Sequence, residues 1–555
     1  MVVEQINRPL ERATQGATRD LESNSIVISS LRCVRYDERK QNRPNDESRD
    51  LKFNFMKLNL IAFFFLITSF ANAQTKWESK YVKVKSGHLT YIPDELGNTI
   101  PDFSRVGYHQ NSKPIPNVKV VTTLSATGEN DQQRIQQAID DLAKQPAAED
   151  GIRGAILLKK GLYKIPGSIR INTSGIVLRG EGKETKLLAT GKGQRKTIMA
   201  SGTGKAIEIP HSRAKILDKY VPVGAKSFTV STINSYKVGD DIMIFRPGTE
   251  QWIKDLKMDQ IEQGNGTVQW KAEEYHLAFE RKITQIKGNT IFIDNPIVMA
   301  MEEKYGGGEI YKFAFEGRIQ EVGIENLSLE SEYASEVDED HGWDAISFNR
   351  ISDSWIRGVE SIYFGYSCVN LGAESKQITV YDCKSLAPKS QITGGRRYSF
   401  NNDGQLNLFI KCFATEGRHD FVTGAKVRGP NVFFDCTAEN AKADIGPHHR
   451  WAVGTLYDNI TTDGDINIQD RGNWGTGHGW SGVTQVLWNC KVAKASVQNP
   501  YVSGKNYAIG LQGKKYDGRL SGRPDGIWEG QHKENLFPNS LYLMQVEESK
   551  YKQKL

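Results

Sequence analysis

Short apolar stretches recur along the chain, separated by glycine turns, and few are long enough to be helices. Gly154-Ala155-Ile156-Leu157-Leu158 is followed by Gly161-Leu162-Tyr163-Lys164-Ile165, Ile169-Arg170-Ile171 and Ile176-Val177-Leu178-Arg179-Gly180. Runs of this length bounded by turn residues predict strands. One segment reads otherwise: in 128–144, Ile135, Ala138, Ile139 and Leu142 fall at i, i+3, i+4 and i+7, which predicts a short amphipathic helix with Asn130 or Asp131 capping its start. Phe228-Thr229-Val230, Asp241 to Phe245, and two apolar runs around Lys287-Gly288-Asn289-Thr290 predict antiparallel hairpins, with a β-rich insertion over 220–311.

Beyond the insertion one form repeats. Trp355 to Val359, Ile378 to Cys383, Leu408 to Cys412, Val432 to Cys436 and Val486 to Cys490 align, and Val359, Cys383, Cys412 and Cys436 are 24, 29 and 24 residues apart. The last step, 54 to Cys490, reads as two coils of 27. A period in the twenties is the mark of a solenoid whose repeats stack about 4.8 Å apart. The four cysteines at one repeat position form either a buried ladder of small apolar groups or a reactive thiol. No C-x-x-C pair is present, which argues against a zinc site or a disulfide framework.

The opening "GLYKI…IRI…IVLRGEG" after a capping helix resembles the pectate-lyase-like right-handed parallel β-helix superfamily. The resemblance covers most of residues 74–555 and implies an all-β solenoid whose first open end is covered by the helix. On this reading 74–219 holds the N-terminal segment, the capping helix and the first coils, and 312–555 holds the main β-helix with its C-terminal tail. Residues 1–55 are polar and without period. Met56-Lys57, the apolar run from Leu60 to Phe70 and Ala71-Asn72-Ala73 form the three regions of a secretory leader over 56–73. Translation is therefore expected to start at Met56, a cytoplasmic tail on a signal anchor being the alternative. The periplasm is the expected compartment, with secretion the alternative and no membrane attachment after cleavage.

The charge of +6 is modest, and with no Lys/Arg run or aromatic-basic signature nucleic acid is not an expected partner. The basic groups are instead clustered in irregular loops: Gly394-Gly395-Arg396-Arg397-Tyr398, Gly417-Arg418-His419-Asp420 and Gly446-Pro447-His448-His449-Arg450-Trp451. Arg397 lies 14 residues past Cys383 and Arg450 14 past Cys436, which predicts one side of the solenoid two coils apart. Arg418 to Asp420 lie 6 to 8 past Cys412 and join them only if that turn is shaped differently. His341 and Trp343 are candidates for the far wall.

Arginine forks neutralise a uronate carboxylate, histidine removes the C5 proton, and tyrosine or a second histidine protonates the group leaving C4. Arg397, Tyr398, His419 and His449 are the catalytic candidates; Arg396, Arg418, His448, Arg450, Trp451, His341 and Trp343 are the binding candidates. Trp252, Trp270 and Tyr275 form either a sugar platform or the insertion's own core. No cofactor is expected; calcium at the acidic run Glu336, Asp338, Glu339 and Asp340, or a divalent cation at the histidines, is the alternative.

The words "DEDHGWDAISF", "GGRRYSF", "GRHDFVTGA" and "GPHHRWAVGTLYDN" resemble a narrower group, the oligosaccharide dehydratases that process ulvan fragments in marine polysaccharide-degrading bacteria. That resemblance implies loss of water from a non-reducing-end glucuronate or iduronate, giving a 4,5-unsaturated uronate. The calcium carboxylates of familiar pectate lyases have no counterpart in these motifs. Three alternatives stay open: a polysaccharide lyase, a β-helix glycoside hydrolase using two of Asp344, Asp403, Asp420, Asp435 and Asp444, and a non-catalytic binding solenoid. The expected partner is an anionic oligosaccharide bound to a monomer.

Overall fold

In a computed structural model the chain is described over residues 75–554, residue 265 excepted. The readings of 1–55 and of the leader at 56–73 lie outside the described residues.

The chain winds into a right-handed parallel β-helix. One inward-facing position can be followed from coil to coil: Ile156 pairs with Leu178, Leu178 with Ile324, then Ile356, Val380, Phe409, Phe433, Tyr457, Leu487 and Ala508. All of these side chains are buried in one continuous core. Rings stack where the ladder turns aromatic, Phe409 on Phe433 at 4.6 Å and Phe433 on Tyr457 at 5.4 Å. Each such pair adds about 0.5–1.5 kcal/mol beyond the area it buries. A second parallel sheet of seven strands runs from Ile169–Ile171 through Arg195–Ser201, Gly342–Asn349, Ser367–Leu371, Phe400–Asn402 and Phe421–Thr423 to Gly446–Pro447. The loops at the ends of this sheet carry the basic motifs.

The cysteine ladder is internal. Cys368, Cys383, Cys412, Cys436 and Cys490 are free and buried, and burial pushes the Cys368 and Cys490 thiols up to about 12. Protonated thiols without solvent contact fit the apolar ladder, not the reactive thiol. The register also corrects the last step. Phe434 pairs with Asp458 and Asp458 with Trp488, so Ile460 takes the ladder position between Cys436 and Cys490, and the two coils have 24 and 30 residues.

The helix Asp131–Ala143 covers the first coil with Ile135, Ile139 and Leu142 buried. Neither expected residue caps it in the usual way. Asn130 is left-handed with no side-chain cap, and the Asp131 carboxylate instead accepts Thr127 N and Oγ1 and Gly128 N, holding the turn that leads into the helix.

The insertion's antiparallel strands run from Ile207–Glu208 to Glu309–Ala314, beside the 220–311 read from texture. Its central strands are Asp241–Arg246, Leu277–Lys287 and Thr290–Ile293. Trp252, Trp270 and Tyr275 are buried in the insertion's own core, which excludes the sugar platform. Trp451 and Trp480 of the solenoid enter the same core. The coils on either side of the insertion pair directly, Val177 with Gly323 and Ile198 with Ile346.

Candidate active site

Tyr398 and His419 stand just before the strands Phe400–Asn402 and Phe421–Thr423, which pair in register, so the two rings come from adjacent coils. They meet edge to face at 4.9 Å. Pro447 pairs with Thr423, and His448 follows it, bringing its ring 4.4 Å from His419 and 5.5 Å from Tyr398. His449 lies 5.1 Å from His448 and stacks at 4.8 Å on His478. On the other side Tyr366 stacks on Tyr398 at 5.2 Å and Trp343 on Tyr366 at 6.4 Å. A string of rings thus crosses successive coils.

Two glycines explain why these loops approach so closely. A Cβ on Gly417 would sit 1.8 Å from Asp420 Oδ1, and one on Gly446, at φ +120°, would sit 2.6 Å from the Asn467 carbonyl.

His419 is oriented from behind. Its Nδ1 is 2.6 Å from the Asp444 carbonyl oxygen and 3.2 Å from the Asp444 carboxylate. Because a carbonyl can only accept, Nδ1 carries the proton and the neutral ring presents its lone pair at Nε2. Nε2 is buried and has no partner within the protein. Burial lowers the His419 pKa despite the bond to Asp444, so the ring is neutral near pH 7. Burial would raise Asp444, but the Arg471 guanidinium and His419 hold its carboxyl well below the usual range. Burial raises Tyr398, opposed by the neighbouring Arg418 guanidinium, which donates to the Gly394 carbonyl, and by Arg471. His449 is lowered to about 4 and His478 to about 3, by burial first and then by neighbouring cationic groups. The Nδ1 atoms of His448, His449 and His478 are also buried without a partner. Buried polar atoms are seldom left unmatched, and four imidazole nitrogens left so within one cluster of rings make it the candidate site.

The sequence candidates separate on this geometry. Tyr398, His419, His448, His449 and Arg418 come together, and Trp343 joins them through Tyr366. Arg397 does not: with φ +56° its guanidinium turns back onto its own loop, bonding the Ser390 and Glu336 carbonyls. Arg396 forms a two-pronged pair with Glu339 at 2.6 and 2.9 Å. His341 is buried, with Nδ1 on Ser331 and Nε2 on the Lys389 carbonyl, and so supports the wall from inside. Trp451 has no exposed surface and packs at 5.0 Å on Trp252, with its Nε1 on Met299. It belongs to the insertion's core and has no surface to offer a ligand. Arg450 reaches Thr476 with its guanidinium.

His478, Arg471 and Tyr366 were missed. They lie at no fixed offset from the cysteines, and only the glycine-flanked histidine of Gly477-His478-Gly479 echoes the other motifs. Among the described residues no group of three or more His, Cys, Asp or Glu is arranged to hold a metal ion. The acidic run is engaged otherwise: Glu336 pairs with Lys389, Glu339 with Arg396, Asp338 accepts Ala334 N and Asp340 N, and Asp340 accepts Gly193 N.

Residues 470–480 double back, with Asp470 and Trp480 bridged antiparallel. The insertion clasps this loop through Val268 N on the Thr476 carbonyl and Trp270 Nε1 on the Gly477 carbonyl. The loop contributes His478 to the string of rings.

No family model matches the chain, and no curated protein matches it. Solved structures with a related shape include the tailspike protein gp49 from Pseudomonas phage LKA1, with 12% identity, 72% of this chain and 73% of that one covered, and TM-score 0.32. An alginate lyase from Paenibacillus sp. str. FPU-7 matches at 10% identity, 74% and 99% coverage, and TM-score 0.35. The Streptococcus pneumoniae surface protein and adhesin PfbA matches at 10% identity, 74% and 89% coverage, and TM-score 0.34. At these scores the likeness carries no argument about activity.

Proposed function

We propose that the chain is a carbohydrate-active enzyme that performs β-elimination on a uronic acid, as a dehydratase acting on the non-reducing-end uronate of an ulvan-type oligosaccharide. The observation that carries this is His419: its proton is fixed on Nδ1 and its Nε2 is unmatched beside the Tyr398 phenol. Nε2 takes the C5 proton. The C5–H electron pair becomes the C4=C5 double bond as the C4–O bond breaks, and Tyr398 supplies the proton with which the hydroxyl leaves as water. Arg418, whose charge is felt at Tyr398, replaces Arg397 as the group that steadies the negative charge on the carboxylate. The choice of a dehydratase over a lyase that cleaves within a chain rests on the motifs at 394–398, 417–420 and 446–451 and their resemblance to the oligosaccharide dehydratases.

A second reading, glycoside hydrolysis, rests on a hydrogen-bonded row along the seven-stranded sheet. Asn370 donates to Asp344, Asn401 to Asn370, and Asn401 also to Asp403. Burial pushes Asp344 up to about 6 and raises Asp403, as an acid catalyst requires.

One experiment separates the readings: incubation with uronate oligosaccharides, followed by ultraviolet absorbance and product mass. Absorbance with loss of one water supports the dehydratase. Absorbance with shortening assigns a lyase, and shortening without absorbance assigns the hydrolase. No change in either overturns both enzyme readings.

A further inference from the structure

A concave site borders the start of the loop 470–480. It is a cavity of about 290 Å³ lined by Lys257, Asp470, Gly472, Tyr501, Arg519 and Arg523 among others. That volume is near the small end of ligand pockets, roughly the size for a single sugar unit. Its cations are held in place by the protein. The Lys257 ammonium sits 4.4 Å from the centre of the Tyr501 ring, and the Arg523 guanidinium 5.9 Å from it. Arg519 donates to the Arg471 carbonyl at 2.6 Å and to Asn473 Oδ1, and lies 5.0 Å over the Trp474 ring. Gly472 makes room for it: a Cβ there would be 2.8 Å from an Arg519 nitrogen.

The ordinary fate of such cations is to pair with neighbouring acids. Here Asp470 is buried and engaged by Arg523 Nε at 2.7 Å and by Gly472 N. The exposed Glu262 also lines the cavity, yet among the described residues neither Lys257 nor Arg519 forms an ion pair with a carboxylate. Trp474, 42% exposed, has the Arg519 and Arg471 guanidinium groups 5.0 and 5.7 Å from the centre of its ring. Pre-oriented guanidinium and ammonium groups beside the Tyr501 ring suit a sugar ring that carries an oxyanion.

We infer that this cavity is a second saccharide site, separate from the rings at His419, that holds a sugar unit bearing a sulfate ester or a carboxylate. That the anion is borne on a sugar rests on the proposed function. The cationic site itself does not.

The test is calorimetric titration of the full chain with a heparin-derived tetrasaccharide, its desulfated counterpart and neutral maltotetraose. Lys257→Glu, on an exposed side chain, is the main variant, and Arg519→Gln, checked for folding by circular dichroism, is the second. Binding of the tetrasaccharide is expected to persist in His419→Ala and to weaken at least tenfold in Lys257→Glu. Retention of the desulfated form would assign the carboxylate as the recognised group, and its loss the sulfate ester. Equal binding of maltotetraose, wild-type affinity in both cavity variants, or loss of binding in His419→Ala alone would overturn the inference. The absorbance assay can fail with this binding intact, so the two conclusions fall separately.

Discussion

Asp444 serves two partners at once: His419 Nδ1 lies 3.2 Å from one carboxylate oxygen, and the Arg471 guanidinium bonds the other. The histidine gains a fixed tautomer, and the buried arginine gains its counter-charge.

Asp444→Ala leaves Arg471 buried without its carboxylate, the case in which removing one partner costs about 3–5 kcal/mol. Urea unfolding should show that loss. Asp444→Ala/Arg471→Met should recover part of it without restoring turnover, because His419 would lack the carboxylate that steadies the imidazolium. A double variant as unstable as the single one would refute the charge-pairing account.

His419 sets the acid limb of activity. Its ordinary pKa is about 6.5, and burial lowers it. The base therefore stays neutral below that pH, and kcat/KM measured by absorbance should hold its plateau to below pH 6.5. His419→Ala should remove the activity. A limb at or above 6.5 would show that His419 is not the base.

Tyr398→Phe keeps the ring stack with Tyr366 and removes only the phenolic proton. Loss of a general acid lowers kcat by about 10²–10⁴-fold, with KM little changed. A variant that binds poorly but turns over at the wild-type rate would make Tyr398 a binding group.

Trp451→Ala empties a fully buried site against Trp252 and Trp270. Large-to-small changes of this kind cost about 3–5 kcal/mol, read as a lower unfolding midpoint. Direct sugar contact predicts instead a KM effect at unchanged stability.

Asp420 links folding to pH. Burial pushes it up to about 7, and its Oδ1 meets Ser399 Oγ at 2.6 Å. The folded state holds this proton where the unfolded chain, with an ordinary carboxyl near 3.9, has released it. The contribution is complete below about pH 4 and is lost as pH rises through 7. Asp420→Asn should flatten the fall in stability across that window in denaturant titrations.

The solenoid was legible because an inward residue every coil must be apolar, and the cysteines mark that position. The site was legible only in part, for the same reason in reverse. Two of the four coils that carry it are irregular: the step from Cys383 to Cys412 has 29 residues and that from Ile460 to Cys490 has 30, against 24 in the coils from Cys412 to Cys436 and from Cys436 to Ile460, which hold His419 and His448. The surplus forms the loops holding Arg397 and His478, where counting from the ladder no longer says which way a side chain points. Arg397 and Arg450 share an offset, yet one turns into its own loop and the other reaches Thr476. Trp451 was misplaced because its neighbours are aromatic residues some two hundred positions earlier, which no local pattern reveals.

The direct pairing of Val177 with Gly323 has a consequence for synthesis. When the first coils leave the ribosome, the edge formed by Ile176–Gly180 must wait for nearly 150 further residues before the strand Gly323–Ser331 arrives to cover it. At about 5–20 residues per second that is a delay of roughly 7–30 s. A bare parallel edge on a nascent chain is a template for strands of other chains, so the interval is the window in which this protein depends on being kept apart from its own copies.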